Sequence, residues 1–168
     1  MTHGRKPRKP GRVVADTIGL ARCYATRRTE AELEDLLQPL RHAVKALREG
    51  IGSELDWAVT NTALITALAI ERQGKMRGLR EHLATAELTL QEIGRRARES
   101  GEWQPVELHL QEADVLNDLV WLHLEQLRRL SAAEVAQATR QALDRARKAG
   151  AAIVQVDQAQ WANMELLG

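Results

Sequence analysis

The residues best suited to chemistry in this sequence are its histidines, because an imidazole can bind metal or transfer a proton near neutral pH. His109 and His123 share one face of a predicted helix, but the 14 residues between them correspond to about 21 Å, too far to share an ion. A hairpin centred near residue 102 would bring His82 level with His123. The Glu-x-x-His spacing of di-iron bundles is absent from the chain. We therefore expect no metal site here, and interpret these histidines as flanking a packed helix seam.

Two further groups of residues are candidates for catalysis. His109 and Glu112 have the spacing at which a carboxylate could orient an imidazole as a general base, but no nucleophile or phosphate-binding loop accompanies them. A pair of this kind is more typical of a helix surface. Cys23 has arginines nearby that would lower the pKa of its thiol, yet no base partner is evident. The sequence therefore predicts no catalytic residue and no cofactor, and we expect a protein that is not an enzyme.

Asn117 interrupts an otherwise apolar stripe between Ala113 and Val120. A buried asparagine in such a position can fix the register or the oligomeric state of packed helices. It can also bond a backbone carbonyl within the same chain, which is the interpretation we favour. A third alternative is that the neighbouring Asp114 and Asp118 mark this face of the helix as solvated.

Charge is unevenly distributed along the chain. Residues 1–28 carry eight basic side chains and one acidic side chain, a net charge of +7, whereas the remaining 140 residues carry 16 basic and 22 acidic side chains, a net charge of −6. Prolines and a glycine separate the first cations, a composition typical of an extended, solvated segment that could contact nucleic-acid phosphates without reading sequence. The alternatives are a solubilising tail without a partner, or attachment to an acidic protein or membrane surface. The candidate contact residues are Arg5, Lys6, Arg8, Lys9 and Arg12.

Composition limits the class of protein. The 168 residues, of which 44% are hydrophobic, suffice for one domain with a core that needs no disulfide, and the single cysteine cannot form one internally. The longest uncharged run, residues 57–70, is too short to span a bilayer, and no signal-peptide pattern is visible. We expect a cytoplasmic protein without membrane contact. Abundant arginine and alanine with no phenylalanine favour a bacterial source.

Apolar residues recur at steps of three and four throughout the body of the chain, which is the helical period. Capping-box patterns at Thr29 and Ser131, together with a restart marked by Ser53 and Asp56, predict three helix starts. The predicted fold is all-α, an antiparallel four- or five-helix bundle with a flexible basic N-terminal tail. The predicted helices cover residues 29–50, 54–73, 75–99, 105–130 and 131–150.

Several positions leave the boundaries of these helices open. Pro39 should kink or split the first helix. Gly74 and Gly78 either separate the second and third helices, which we favour, or bend one long helix. Trp57 and Trp121 are the expected core anchors among the tryptophans.

Three segments follow from these patterns: a basic leader over residues 1–28, the bundle over 29–150, and a C-terminal extension over 151–168 that includes Trp161 and could form one short docking helix. The apolar seams of the third and fourth helices are wide enough to serve both a core and an interface. We therefore expect a helical interaction protein acting by self-association or adaptor binding, and the alternative is a nucleic-acid-associated accessory protein that uses its leader. The predicted seam residues are Leu79, Leu83, Leu90, Ile93, Leu110, Asn117, Val120 and Leu124.

Overall fold

The computed structural model describes residues 26–148, and every described secondary-structure element in that range is helical apart from one isolated bridge between Arg27 and Ser131. The all-helical fold predicted from the sequence is therefore confirmed for this part of the chain. The helices are α1 (Glu30–Arg48), α2 (Glu54–Arg72), α3 (Arg80–Ala97), α4 (Leu110–Arg129) and α5 (Ala132–Lys148).

The two predicted capping boxes are present at the starts of α1 and α5, and the predicted restart at Ser53 is a third capping box that begins α2. In each, the backbone N–H of the capping residue donates to a carboxylate three residues later, and the capping hydroxyl accepts from the backbone of that acidic residue. The pairs and their backbone-to-carboxylate distances are Thr29–Glu32 (2.7 Å), Ser53–Asp56 (2.8 Å) and Ser131–Glu134 (2.9 Å).

Three features of the helices differ from the sequence prediction. α3 begins at Arg80 rather than near residue 75, because Gly78 has a positive φ that interrupts the helix before it. α1 is not split at Pro39 but continues to Arg48. The carbonyl that loses its helical donor there belongs to Asp35, which is exposed, so water can take the place of the missing N–H. α4 begins at Leu110 rather than near residue 105, because the segment before it is irregular and is held by the Trp103 indole, which donates to the Gly52 carbonyl at 2.9 Å.

Glycines with positive φ separate the helices. Gly50 (φ 70°) follows α1, and its N–H and that of Ile51 donate back to the carbonyls of Leu47 and Ala46, a Schellman arrangement. Gly74 and Gly78 (φ 73° and 91°) lie between α2 and α3, so the predicted break is confirmed and the single long helix is excluded.

α2 is the central helix of the bundle and packs against each of the other four. Its sequence is apolar on most faces, which requires neighbours on all sides. α3 runs antiparallel to α2, since Arg98 near the end of α3 pairs with Glu54 at the start of α2. α4 runs antiparallel to α1, since Arg128 pairs with Glu30 at one end. Near the other end of that pair, the Arg48 side chain reaches Asn117.

One polar side chain crosses the core between α4 and α2. Gln126 is fully buried, and its Nε2 donates to the backbone carbonyl of Ala67 at 3.0 Å. A carbonyl oxygen can accept two hydrogen bonds, so this contact ties α4 to α2 without unwinding either helix. The Gln126 Oε1 lies 3.4 Å from Nδ1 of the buried His123.

A cluster of an arginine, two tryptophans and a glutamate joins the end of α3 to the start of α2. The Arg98 guanidinium lies over the rings of Trp57 and Trp103, at 4.5 and 5.0 Å from their centroids, and donates to Glu54 at 2.9 Å. The Trp57 indole also donates to the Leu90 carbonyl at 2.8 Å. Trp57 is thus half-buried and packed against the core, where it holds α2 on α3.

We expect Gln126→Ala to lower the free energy of unfolding by about 2–3 kcal/mol, because it leaves a cavity and removes the hydrogen bond to Ala67. Urea denaturation followed by circular dichroism measures this. Gln111→Ala is the matched control, since Gln111 is exposed on the same helix and its loss should change stability by less than about 0.5 kcal/mol. Equal effects of the two substitutions would contradict the structural role given to Gln126.

Candidate functional site

A groove of about 400 Å³ lies on the surface between the antiparallel helices α1 and α4. Val44, Val120 and Leu124 supply its apolar lining. Three of the residues that the sequence indicated for an interface, Asn117, Val120 and Leu124, are therefore brought together here. We call this feature the α1–α4 groove. Its lining residues are Arg41, Val44, Lys45, Arg48, Asn117, Val120, Trp121 and Leu124.

The α1 side of the groove is basic. Arg41, Lys45 and Arg48 are all exposed, and together they form what we call the basic ridge. Arg41 contacts Glu34 on its own helix, and the Lys45 ammonium lies 3.8 Å from the Glu49 carboxylate. Such exposed pairs contribute little free energy and leave the cations available to another partner.

Arg48 is the cation of the basic ridge that has no carboxylate partner among residues 26–148. Its Nη1 donates instead to the Asn117 side-chain oxygen at 3.4 Å. Asn117 is exposed, so the prediction that it is buried in the helix seam is wrong. Its bond is intramolecular, as favoured, but it goes to a side chain rather than to a backbone carbonyl.

α4 presents two apolar stripes, and the structure buries only one of them. The buried stripe includes Leu116 and Leu119, whereas Trp121 is 60% exposed and Leu110 is 79% exposed. The prediction that Trp121 anchors the core is therefore wrong, and Leu110 does not pack in a seam. The reason is geometric: at about 100° of rotation per residue, Trp121 and Leu110 lie on the side of α4 that faces away from α2.

The side of α4 that lies beyond Trp121, away from the groove, is acidic. Asp114 and Asp118 are exposed, and neither makes an ion pair with another residue of the described range 26–148. Viewed down the axis of α4, at about 100° per residue, Asp114 and Asp118 lie about 20° and 60° beyond Trp121, on the side away from the groove. We call these two residues the acidic ridge. Across the surface formed by α1 and α4, the basic ridge comes first, the apolar groove with Trp121 follows, and the acidic ridge comes last.

The predicted seam of α3 belongs to the core. Leu83, Leu90 and Ile93 are buried, and Leu79 is half-buried where α3 begins. The four-three spacing therefore predicted their packing correctly. Because these side chains are covered by α2 and α4, they are not available to an external partner.

The histidines are separated by their surroundings. His123 is buried, and its pKa is lowered to about 4, mainly because burial penalises the charged imidazole; the nearby Arg28 charge acts in the same direction. His82 is exposed, so it does not share the environment of His123. Among residues 26–148, no group of three or more potential ligands could hold a metal ion.

The pair formed by His109 and Glu112 is part of an ion-pair cluster. The Arg96 guanidinium donates to both oxygens of Glu112, at 2.6 and 2.7 Å, and lies 3.2 Å from the His109 ring. The Glu112 carboxylate also accepts from the His109 backbone N–H at 2.8 Å. This carboxylate is thus engaged in starting α4 and joining it to α3, which is a structural role.

Several predicted features fall on residues that the structure does not describe. The leader cations Arg5, Lys6, Arg8, Lys9 and Arg12 lie outside the described residues, as do Cys23 and Trp161. The last part of the leader is described from Thr26. There, Arg27 forms a bridge with Ser131, which places that end of the leader beside the turn between α4 and α5.

Comparison with known proteins gives no relationship to build on: no protein-family model, curated protein or solved structure matches the chain. Within residues 26–148, none of the helices has the length and apolar character needed to cross a bilayer. The site is therefore interpreted from its own geometry.

The basic ridge and the outward position of Trp121 are features that we did not predict from the sequence. Arg41, Lys45 and Arg48 follow one another at steps of four and three, so a helical plot of α1 places all three beside Val44. That signal was available. The exposure of Trp121 carried no comparable signal, because a tryptophan between two apolar stripes suits the core as well as the surface.

His123 should make stability fall with acidity in the window between pH 6.5 and 4. Its folded-state pKa lies below the unfolded value, so its contribution is full above about pH 6.5 and is lost as protonation of the unfolded chain becomes favourable. Between pH 7 and pH 5 the loss should be roughly 2 kcal/mol. Urea denaturation at both pH values measures it.

The matched variants are His123→Gln and His82→Gln. The first should remove most of the stability difference between pH 7 and pH 5, because it removes the buried titrating group. The second should leave the difference unchanged, because His82 is exposed. A pH dependence that persists undiminished in His123→Gln would assign it to other groups.

Proposed function

We propose that this protein is a helical interaction protein that binds another protein through the α1–α4 groove and the Trp121 side chain. The observation that carries the proposal is the exposure of Trp121, 60%, beside a groove with an apolar lining. Tryptophan is enriched at binding hot spots because it buries a large area with little loss of side-chain entropy.

The extent of the apolar surface supports this function. Trp121 and the partly exposed Leu124 lie three residues apart on one side of α4 and form one apolar patch with Val44 and Val120, whereas the exposed Leu110 lies about 16 Å nearer the start of the helix. A contiguous apolar stripe with polar rims is typical of an interaction surface, whereas isolated exposed apolar residues are ordinary. An elongated stripe between two parallel rows of charge fits the side of a helix better than a compact small molecule.

Photo-crosslinking from position 121 tests the proposal. A photoreactive phenylalanine analogue placed at Trp121 in the full chain, expressed in the organism that encodes it, should give covalent adducts with protein. The control position is Leu88, which is 68% exposed on α3, away from the groove. Adducts from position 88 should be absent or at least about tenfold weaker, because that side chain stands outside the proposed surface.

Mass spectrometry of the adducts distinguishes the outcomes. An adduct with a specific protein, either a second copy or another chain, supports the proposal. Equal adducts from positions 121 and 88, or none from position 121, contradict it. Adducts of position 121 with nucleic acid would favour the nucleic-acid function in its place.

A further inference from the structure

We propose that the occupant of the α1–α4 groove is a second copy of this chain, related by a two-fold axis parallel to α1 and α4. This inference rests on the proposed function and adds the identity and orientation of the partner. Two observations point to this partner: the charges on the two sides of the groove, and the positions of those charges along the helix axes, which we call their heights.

The two ridges have opposite charge and lie on opposite sides of Trp121. Lys45 and Arg48 stand on the α1 side, and Asp114 and Asp118 stand on the far side of α4. A two-fold rotation about an axis parallel to the helices exchanges left and right. The basic ridge of one copy then faces the acidic ridge of the other, and the same pairing occurs twice, as in any isologous interface.

The heights of these residues along the helices also match. Because α1 and α4 are antiparallel and the Arg48 side chain reaches Asn117, Lys45 lies within one helical turn of the height of Asp118. Arg48 lies within one helical turn of Asp114. A two-fold rotation about a parallel axis leaves height unchanged. Lys45 therefore meets Asp118 of the second copy, and Arg48 meets Asp114 of the second copy.

The other two-fold orientation in the same plane is unfavourable. An axis perpendicular to the helices would place the basic ridge of one copy on the basic ridge of the other, and the acidic ridges would also face each other. Like charges brought together in an interface cost several kcal/mol and disfavour that arrangement. Charge thus selects the orientation, while Trp121 and Leu124 of the two copies supply apolar contact at the centre.

The local partners of these charges do not compete strongly. Lys45 has Glu49 on its own helix at 3.8 Å, and both side chains are more than half exposed. Arg48 has only the amide of Asn117 among residues 26–148. The carboxylates of Asp114 and Asp118 have no ion-pair partner in that same range. All four groups can therefore form intersubunit pairs without breaking a buried contact.

Light scattering after gel filtration of the full chain tests the inference at low ionic strength, about 50 mM, where screening is weak. Wild-type protein should form dimers at tens of micromolar. K45E/R48E and D114K/D118K should each raise the dimer dissociation constant at least about tenfold, because each places like charges opposite one another. The fourfold variant K45E/R48E/D114K/D118K should dimerise again, because each of the four reversed charges faces an opposite charge in the second copy.

The matched control is R80E/R140E, which changes the net charge as much as K45E/R48E but alters exposed residues of α3 and α5. It should leave the dissociation constant within about twofold of wild type, because distant charges are largely screened. An equimolar mixture of K45E/R48E and D114K/D118K should form heterodimers, which also shows that both variants are folded.

Zero-length carbodiimide crosslinking of wild-type protein provides a test without substitutions. In a mixture of ¹⁴N- and ¹⁵N-labelled chains, a Lys45–Asp118 crosslink should join light to heavy peptides. Its absence from crosslinked dimers, or a fourfold variant that remains monomeric although folded, overturns the proposed orientation. A wild-type chain that stays monomeric overturns the second copy as occupant. In that case, position-121 adducts with a different protein would still support the proposed function.

Discussion

The arrangement of this bundle depends on one constraint, the need to cover α2 on all sides. Leu64, Ala67 and Ile70 are almost completely buried, and the helix carries few charges between its termini. Exposing such a helix would leave apolar surface in water at a cost of about 25 cal/mol per Å². Among residues 26–148, the four other helices all pack against it. The turns at Gly50, and at Gly74 with Gly78, allow the chain to fold back around α2.

Covering α2 requires only one stripe from each surrounding helix, and this explains the surface of α4. Its inner stripe, with Leu116 and Leu119, contacts the core, and Gln126 fixes the rotation of the helix by its bond to Ala67. Once that rotation is set, Trp121 and Leu110 must face outward. α3 has a single apolar stripe, so all of it is used in the core. The exposure of apolar side chains on this face thus follows from the excess of apolar residues on α4.

Much of the fold could be predicted because it is encoded locally. The capping boxes at Thr29, Ser53 and Ser131 are short-range patterns, and the α3 stripe is unambiguous because its other faces are charged. The packing face of α4 could not be predicted from its apolar residues alone, because two stripes compete.

The buried stripe of α4 is hard to recognise from the sequence because it contains polar residues. His123 and Gln126 lie on it, and a count of apolar side chains favours the other stripe, which holds Val120 and Leu124. The deciding interaction is tertiary: a carbonyl of α2 accepts from the Gln126 side chain. The basic ridge could have been read from the spacing of its cations. The exposure of Trp121 could not be predicted in this way, because it depends on the rotation of α4 about its axis.

The polarity of the groove face has a physical origin in the two helices that form it. Lys45 and Arg48 lie in the last turn of α1, where cations interact favourably with the helix dipole. Asp114 and Asp118 lie in the N-terminal half of α4 but beyond its first turn, so the dipole of α4 acts on them only weakly. Antiparallel packing places the C-terminal end of α1 beside the N-terminal half of α4, so the cations of one helix and the carboxylates of the other lie on two sides of one face. In the proposed association these charges orient the partner more than they bind it, and most of the free energy comes from the apolar side chains around Trp121 that lie between the ridges.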